Sequence, residues 1–202
     1  MINEDDTQSI LANKYIKICL VGSEGYEESL YKYLSYLQNK NVGIIYISTI
    51  KLAEELCGAI KDSRAKIDDR FYIIDTKSKK MTRNKPLDNC YFVDSPADLN
   101  GIVTGFSLAM KFLAKNNKQL KSLLLIFDNI DTLFLDNERN IVDRFVYNFF
   151  SKIRKEDIPA IIISREAGKD KCLNNLLLDL TDGVLSENTT ASSKKSKKMR
   201  AS

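Results

Sequence analysis

Two stretches of the chain carry residue types and spacings that could do chemistry. The first is Val21-Gly22-Ser23-Glu24-Gly25-Tyr26-Glu27-Glu28-Ser29, preceded by the apolar run Tyr15-Ile16-Lys17-Ile18-Cys19-Leu20 and followed by Leu30, Tyr33, Leu34 and Leu37 at helical spacing. Strand, glycine turn and helix is the setting of the phosphate-binding loop G-x-x-x-x-G-K-[ST]. In that loop backbone N–H groups cradle the phosphates, the lysine neutralises their charge and the hydroxyl binds Mg²⁺. Counted from Gly22, the motif needs glycine at 27 and lysine at 28; the chain has Glu27 and Glu28, and only Gly22 and Ser29 agree. The second stretch is Leu123-Leu124-Leu125-Ile126-Phe127-Asp128, an apolar run ending in the kind of carboxylate that holds a Mg²⁺ shell beside such a loop. The candidate residues of a vestigial nucleotide site are therefore Gly22, Ser23, Glu24, Gly25, Ser29 and Asp128.

The exchange of cation for anion bears directly on activity. A like-charge contact costs ~1 kcal/mol in bulk water and ~4 kcal/mol at an effective dielectric of 20. Two or three such contacts cancel much of a micromolar affinity, which is about 8 kcal/mol. Glu27 and Glu28 have a structural use instead, because acids in a helix's first turn each stabilise it by ~0.3–1 kcal/mol. The plain alternative is a β-α turn that contains two glycines. Asp128 has a plain reading too, as a turn residue at a strand end, and Asp131 in Asn129-Ile130-Asp131 shares it.

Composition narrows the remaining chemistry. The chain has no histidine, which removes histidine acid–base catalysis, Ser-His and Cys-His nucleophile pairs and histidine-bearing zinc sites. Its four cysteines (Cys19, Cys57, Cys90, Cys172) are widely spaced, and three sit in or beside apolar patterns; they are expected as reduced, buried thiols acting as small hydrophobes. The net charge is +4, but Lys194, Lys195, Lys197, Lys198 and Arg200 alone supply five positive charges, so the remainder stands at −1. The folded part is not broadly basic.

The elements that must position these residues alternate in type. Strands are expected at 15–22, 42–48, 71–75, 90–93, 123–128, 159–164 and 183–186, those at 123–128 and 159–164 being continuously apolar, as strands covered on both faces are. Ser95-Pro96-Ala97-Asp98 reads as a helix start, with Ser95 as N-cap, Pro96 at the first helical position and Asp98 closing a capping box. Leu99, Ile102, Val103, Phe106, Met110 and Leu113 follow at helical spacing, and a further helix at about 137–154 carries Ile141, Val142, Phe145, Val146, Phe149, Phe150 and Ile153. This alternation predicts a three-layer αβα sandwich with a mainly parallel central sheet and right-handed crossovers. Residues 1–13 are expected as a flexible lead-in, 14–187 as one domain and 188–202 as a disordered basic tail.

Over roughly 15–187 the chain resembles the RecA/KaiC-like P-loop ATPase superfamily, and among its branches the divergent archaeal KaiC-like proteins. Gly22 to Ser29 stands where that family has its Walker A loop. Gly43-Ile44-Ile45-Tyr46-Ile47-Ser48 resembles its second strand, Tyr91 to Leu99 the segment before its long central helix, and Leu124 to Leu133, with Asp128, its Walker B strand and extension. Pro159 to Ser164 and Asp182-Gly183-Val184-Leu185 resemble the later strands. In the family the second strand is followed by an aromatic residue and a Glu-Glu pair that activates water; here that segment reads Thr49-Ile50-Lys51. The resemblance implies a RecA-like P-loop NTPase fold with a degenerate Walker A loop, without the lysine and without the catalytic glutamates. It implies a fold and an oligomeric habit rather than an activity.

The functional expectation is a catalytically inactive protein, a pseudo-ATPase with no catalytic residues and no metal site, that works through a protein partner or as a homo-oligomer in a regulatory or scaffolding role. No cofactor is expected. The alternative is a divergent ATPase binding ATP and Mg²⁺, with Lys14, Lys17 or Lys51 replacing the missing lysine or a partner subunit supplying the missing residues in trans. Another alternative is a recombinase-paralogue-like module making weak, nonspecific nucleic-acid contact through Lys194, Lys195, Lys197, Lys198 and Arg200. An acidic start, Met1-Ile2-Asn3-Glu4-Asp5-Asp6, and the lack of an apolar run near the ~20 residues that span a bilayer lead to the expectation of a cytoplasmic protein without membrane contact.

Overall fold

Alternating side chains on each strand serve two separate cores, and this sets the layering. In the computed structural model, which describes residues 4–21, 26–62, 67–77, 87–116, 119–165 and 171–185, the strands are β1 (Ile16–Leu20), β2 (Val42–Ser48), β3 (Phe71–Asp75), β4 (Cys90–Phe92), β5 (Ser122–Asp128), β6 (Ala160–Ser164) and β7 (Val184–Leu185). Ile45, Ile47, Leu125, Phe127, Ala160 and Ile162 face one core, while Ile44, Tyr46, Leu124, Ile126, Ile161 and Ile163 face the other. A strand buried on both sides reads as an unbroken apolar run, the pattern of 123–128 and 159–164.

The helices are α1 (Glu4–Asn13), α2 (Tyr26–Asn39), α3 (Ala53–Asp62), α4 (Leu99–Asn116), α5 (Arg139–Lys155) and α6 (Lys171–Leu180), with a 3-10 turn at Ile130–Phe134. Residues of α1, α2 and α3 fill one core and residues of α4, α5 and α6 the other, giving three layers. The strand order is β4-β3-β2-β5-β6-β1-β7 and every pairing is parallel. From β1 the chain moves toward one edge through α2 and α3, then returns from β4 through α4, α5 and α6 on the other face. A right-handed crossover must change face when its direction along the sheet reverses. The switch falls between β2 and β5 and again between β6 and β1, where loops leave adjacent strand ends toward opposite faces.

Three local expectations need correction. Residues 4–13, expected as a loose lead-in, form α1; its acids Glu4, Asp5 and Asp6 occupy the first turn, which favours the helix, and Thr7 and Ile10 are buried. The start of α4 is capped by Asp98 rather than Ser95: Asp98 Oδ1 accepts the Gly101 N–H at 2.8 Å, while Ser95 closes a turn through Asp98 N–H to Ser95 O at 3.0 Å. A Cβ on Gly101 would lie 2.3 Å from Asp98 Oδ2, so the glycine makes room for the cap. Of the cysteines only Cys19 is buried, Cys57 and Cys90 are half-buried, and Cys172 is exposed; all four are free thiols. No helix among the described residues is long and apolar enough to cross a membrane.

Candidate functional site

In a parallel sheet all strands end on one edge, so residues that follow different strands converge there. Here that edge collects Asp128 from β5, Lys51 after β2, Arg165 after β6, and Tyr26 and Glu27 from the first turn of α2 after β1. The register places Ser48 beside Asp128 and Leu20 beside Ser164, which fixes the ends of β2, β5, β6 and β1 in one row.

Asp128 is 3% exposed and lies at the centre of this row. The Tyr26 hydroxyl donates to its Oδ1 at 3.0 Å, and the fully buried Tyr46 hydroxyl is a second hydrogen-bond partner. Burial pushes the Asp128 carboxyl above its ordinary range, and the tyrosine hydroxyls and Arg165 pull the other way. Burial, with the Asp128 charge beside them, raises both tyrosines, so both stay protonated donors. The Arg165 guanidinium lies over the Tyr26 ring, 4.8 Å from its centroid, in cation–π geometry.

Glu27 sits between two cations. Its Oε2 is 2.7 Å from Lys51 Nζ and its Oε1 is 3.8 Å from Arg165 Nη2. Lys51 also approaches the Tyr31 ring at 5.8 Å, and its pKa rises chiefly through the hydrogen bond to Glu27. Glu28 points away, exposed and paired with Lys32 one turn on at 2.6 Å. Both glutamates lie in the first turn of α2, as the helix-start reading expects.

The other carboxylates of this edge tie loops to strand ends. Asp131 accepts the Ser164 hydroxyl and the Arg165 N–H, both at 2.6 Å. Asp75 accepts the Ala53 N–H at 2.6 Å, which caps α3, and the Lys77 N–H at 2.7 Å. The Thr49 hydroxyl donates to the carbonyls of Asp128 and Asn129. Asn129 takes a left-handed backbone at φ 60° to turn the chain out of β5. Among the described residues, Asn129 Oδ1 and Arg165 Nε are buried without a hydrogen-bond partner. Among the described residues no group of three or more cysteine or acidic side chains is placed to hold a metal ion.

Of the sequence-derived candidates, Gly22, Ser23, Glu24 and Gly25 lie outside the described residues. Ser29 is half-buried in α2, and the residue that meets Asp128 is Tyr26. Of the lysines considered as replacements, Lys51 reaches the edge. Lys14 pairs with Asp157 at 2.6 Å, and Lys17 bonds the Asp182 carbonyl at the opposite end of the sheet. Sequence reasoning missed Tyr26, Tyr46 and Arg165. The available signal was their place, one to a few residues beyond a strand end or at a strand's last turns, where a parallel sheet gathers side chains.

No protein-family model and no curated protein matches this sequence. Solved structures do match in shape. An uncharacterised protein of Pyrococcus horikoshii, crystallised in complex with an unknown peptide, superposes with a TM-score of 0.58 at 11% identity, over 84% of this chain and 76% of that one. A KaiC-like protein from the same archaeon superposes with a TM-score of 0.56 at 13% identity, over 87% of this chain and 74% of its own. At that identity the likeness concerns the fold, and the fold of this chain is the three-layer RecA/KaiC-like α/β sandwich.

Proposed function

We propose that this chain is a catalytically inactive RecA/KaiC-like protein that acts through protein contacts in a regulatory or scaffolding role. The observation that carries the proposal is that the chain's own side chains take up the groups a Mg²⁺-nucleotide would need. Asp128 is 3% exposed and one of its oxygens accepts the Tyr26 hydroxyl at 3.0 Å, so little of the carboxylate faces the solvent where a hydrated cation would sit. Glu27 presents an anion to Lys51 and Arg165, two cations at this edge that could meet a polyphosphate. The segment after β2 that the resemblance would fill with water-activating glutamates is Thr49-Ile50-Lys51. These residues do not fit ATP and Mg²⁺. One protein of the same fold was crystallised with a peptide, which supports protein contact as a use of this architecture.

A divergent ATPase is the second reading, favoured by Lys51 and Arg165 both reaching the edge and by an Arg165 Nε without a partner among the described residues. The two readings separate in an ATP hydrolysis assay on the full chain, with and without DNA. The first predicts no rate above buffer and no change in Asp128→Asn. A rate that Asp128→Asn abolishes would favour the second.

A further inference from the structure

A groove runs between the start of α4 and the outer face of α5, on the helix layer formed by α4, α5 and α6, enclosing about 510 Å³. Its apolar lining includes Leu99, Val103, Ile141 and Phe145. Ile141 is 48% exposed, a large aliphatic side chain left in water beside an apolar floor. From Ile141 to Lys152 the groove follows α5 for 11 residues, ~16 Å at 1.5 Å per residue, the length of about three helical turns.

The charges that line the groove are net positive. Arg144 and Lys152 line it, and neither has an ion-pair partner among the described residues. The one acid among the described lining residues, Asp98, sits at the far wall, where it accepts the Gly101 N–H at the α4 cap and keeps its charge, so two cations face one anion. Apolar floor and unpaired cations ~12 Å apart along α5 complement an amphipathic helix that carries acids about two turns apart. The basic tail of this chain, Lys194 to Arg200, has the wrong sign to occupy it.

We propose that the α4–α5 groove is a docking site for an acidic amphipathic helical segment of a partner protein. This deepens the protein-contact reading above and supplies its partner class; it does not depend on the geometry around Asp128. The test is selection from random 16-residue peptides displayed on phage, panned on the full chain and counter-selected on an Ile141→Asp/Arg144→Glu variant. Both substituted positions are exposed, and a far-UV spectrum checks the fold. Lys152→Glu serves as a second variant if the first does not fold. Enriched peptides should share apolar residues at i, i+3 or i+4 and i+7 with two acids, bind the wild type at least ten-fold tighter than the variant, and weaken several-fold between 50 and 300 mM salt. No enrichment, or enrichment of basic or uncharged peptides, would overturn the proposal. Peptides that bind wild type and variant equally would overturn the groove while leaving protein contact standing. Displacement of the selected peptide by a single-stranded oligonucleotide would identify the cations as a nucleic-acid surface instead.

Discussion

Glu27→Gln removes the charge that holds Lys51 and Arg165 at the strand-end site. Lys51 Nζ is 2.7 Å from Glu27, with side chains 27% and 34% exposed, and Arg165 is 3.8 Å away. A unit-charge pair at 4 Å is worth ~1 kcal/mol in water and ~4 kcal/mol at an effective dielectric of 20. Solvent reaches both partners here, so the net contribution to folding is discounted to ~1 kcal/mol. The variant should melt ~2–4 °C below the wild type at neutral pH, given the chain's size. Lys51 is held above its ordinary value by Glu27, so this stabilisation is complete below that ordinary value and is lost as pH rises through the raised one. The difference in melting temperature should therefore shrink in the alkaline range above the ordinary lysine value of 10.5. The substitution also frees two cations toward an added anion. Taking ~1.5–2 kcal/mol from the same Coulomb range gives ~10–30-fold tighter pyrophosphate binding. Calorimetry of both proteins with metal-free pyrophosphate at 50 mM salt reads this directly, and 500 mM salt should erase most of it. If Glu27→Gln binds pyrophosphate no better than the wild type, Glu27 is not the electrostatic obstacle described above.

Three further outcomes follow from particular contacts. Burial raises the Asp128 carboxyl, so the folded state takes up its proton more readily than the unfolded chain, and stability falls as pH rises from the ordinary carboxylate range through the raised value. Asp128→Asn should flatten that part of a urea-unfolding profile against pH; an unchanged profile would contradict the assignment. A Cβ on Gly105 would lie 2.9 Å from both Ile74 Cγ2 and Tyr91 Cδ1, so Gly105→Ala should cost ~1–2 kcal/mol after the gain in helix propensity, seen as a lower urea midpoint. If residues 189–202 contact nucleic acid through their five cations, deleting them should remove binding to a single-stranded oligonucleotide whose log–log salt slope reaches ~−3.5, and unchanged binding would take the tail out of the account.

Much of the scaffold could be read from the chain. The continuous apolar runs at 123–128 and 159–164 announced strands covered on both faces, and the stripe from Leu99 to Leu113 announced α4. The structure places Asp128 at the end of its strand, as the pattern indicated. Other features were hidden for physical reasons. Helix α1 is short and polar, and buries little beyond Thr7 and Ile10, so it leaves no stripe to detect. Ser95 and Asp98 are both good caps three residues apart, and local sequence could not choose between them. The candidate site was the least legible part. Tyr26 meets Asp128 across 102 residues of sequence, and Lys51 and Arg165 reach Glu27 from the ends of two other strands. Those meetings depend on the order β2-β5-β6-β1, which periodicity does not encode. Glu27, read alone, was a lost glycine beside a lost lysine; next to Lys51 and Arg165 it is a carboxylate with two cationic partners.

In the proposed reading the chain's own side chains take the place of a nucleotide at the ends of β1, β2, β5 and β6. Titration of the full wild-type chain with ATP and Mg²⁺ in a calorimeter tests it most directly. No saturable heat is expected up to millimolar nucleotide. Saturation with a micromolar dissociation constant would contradict it.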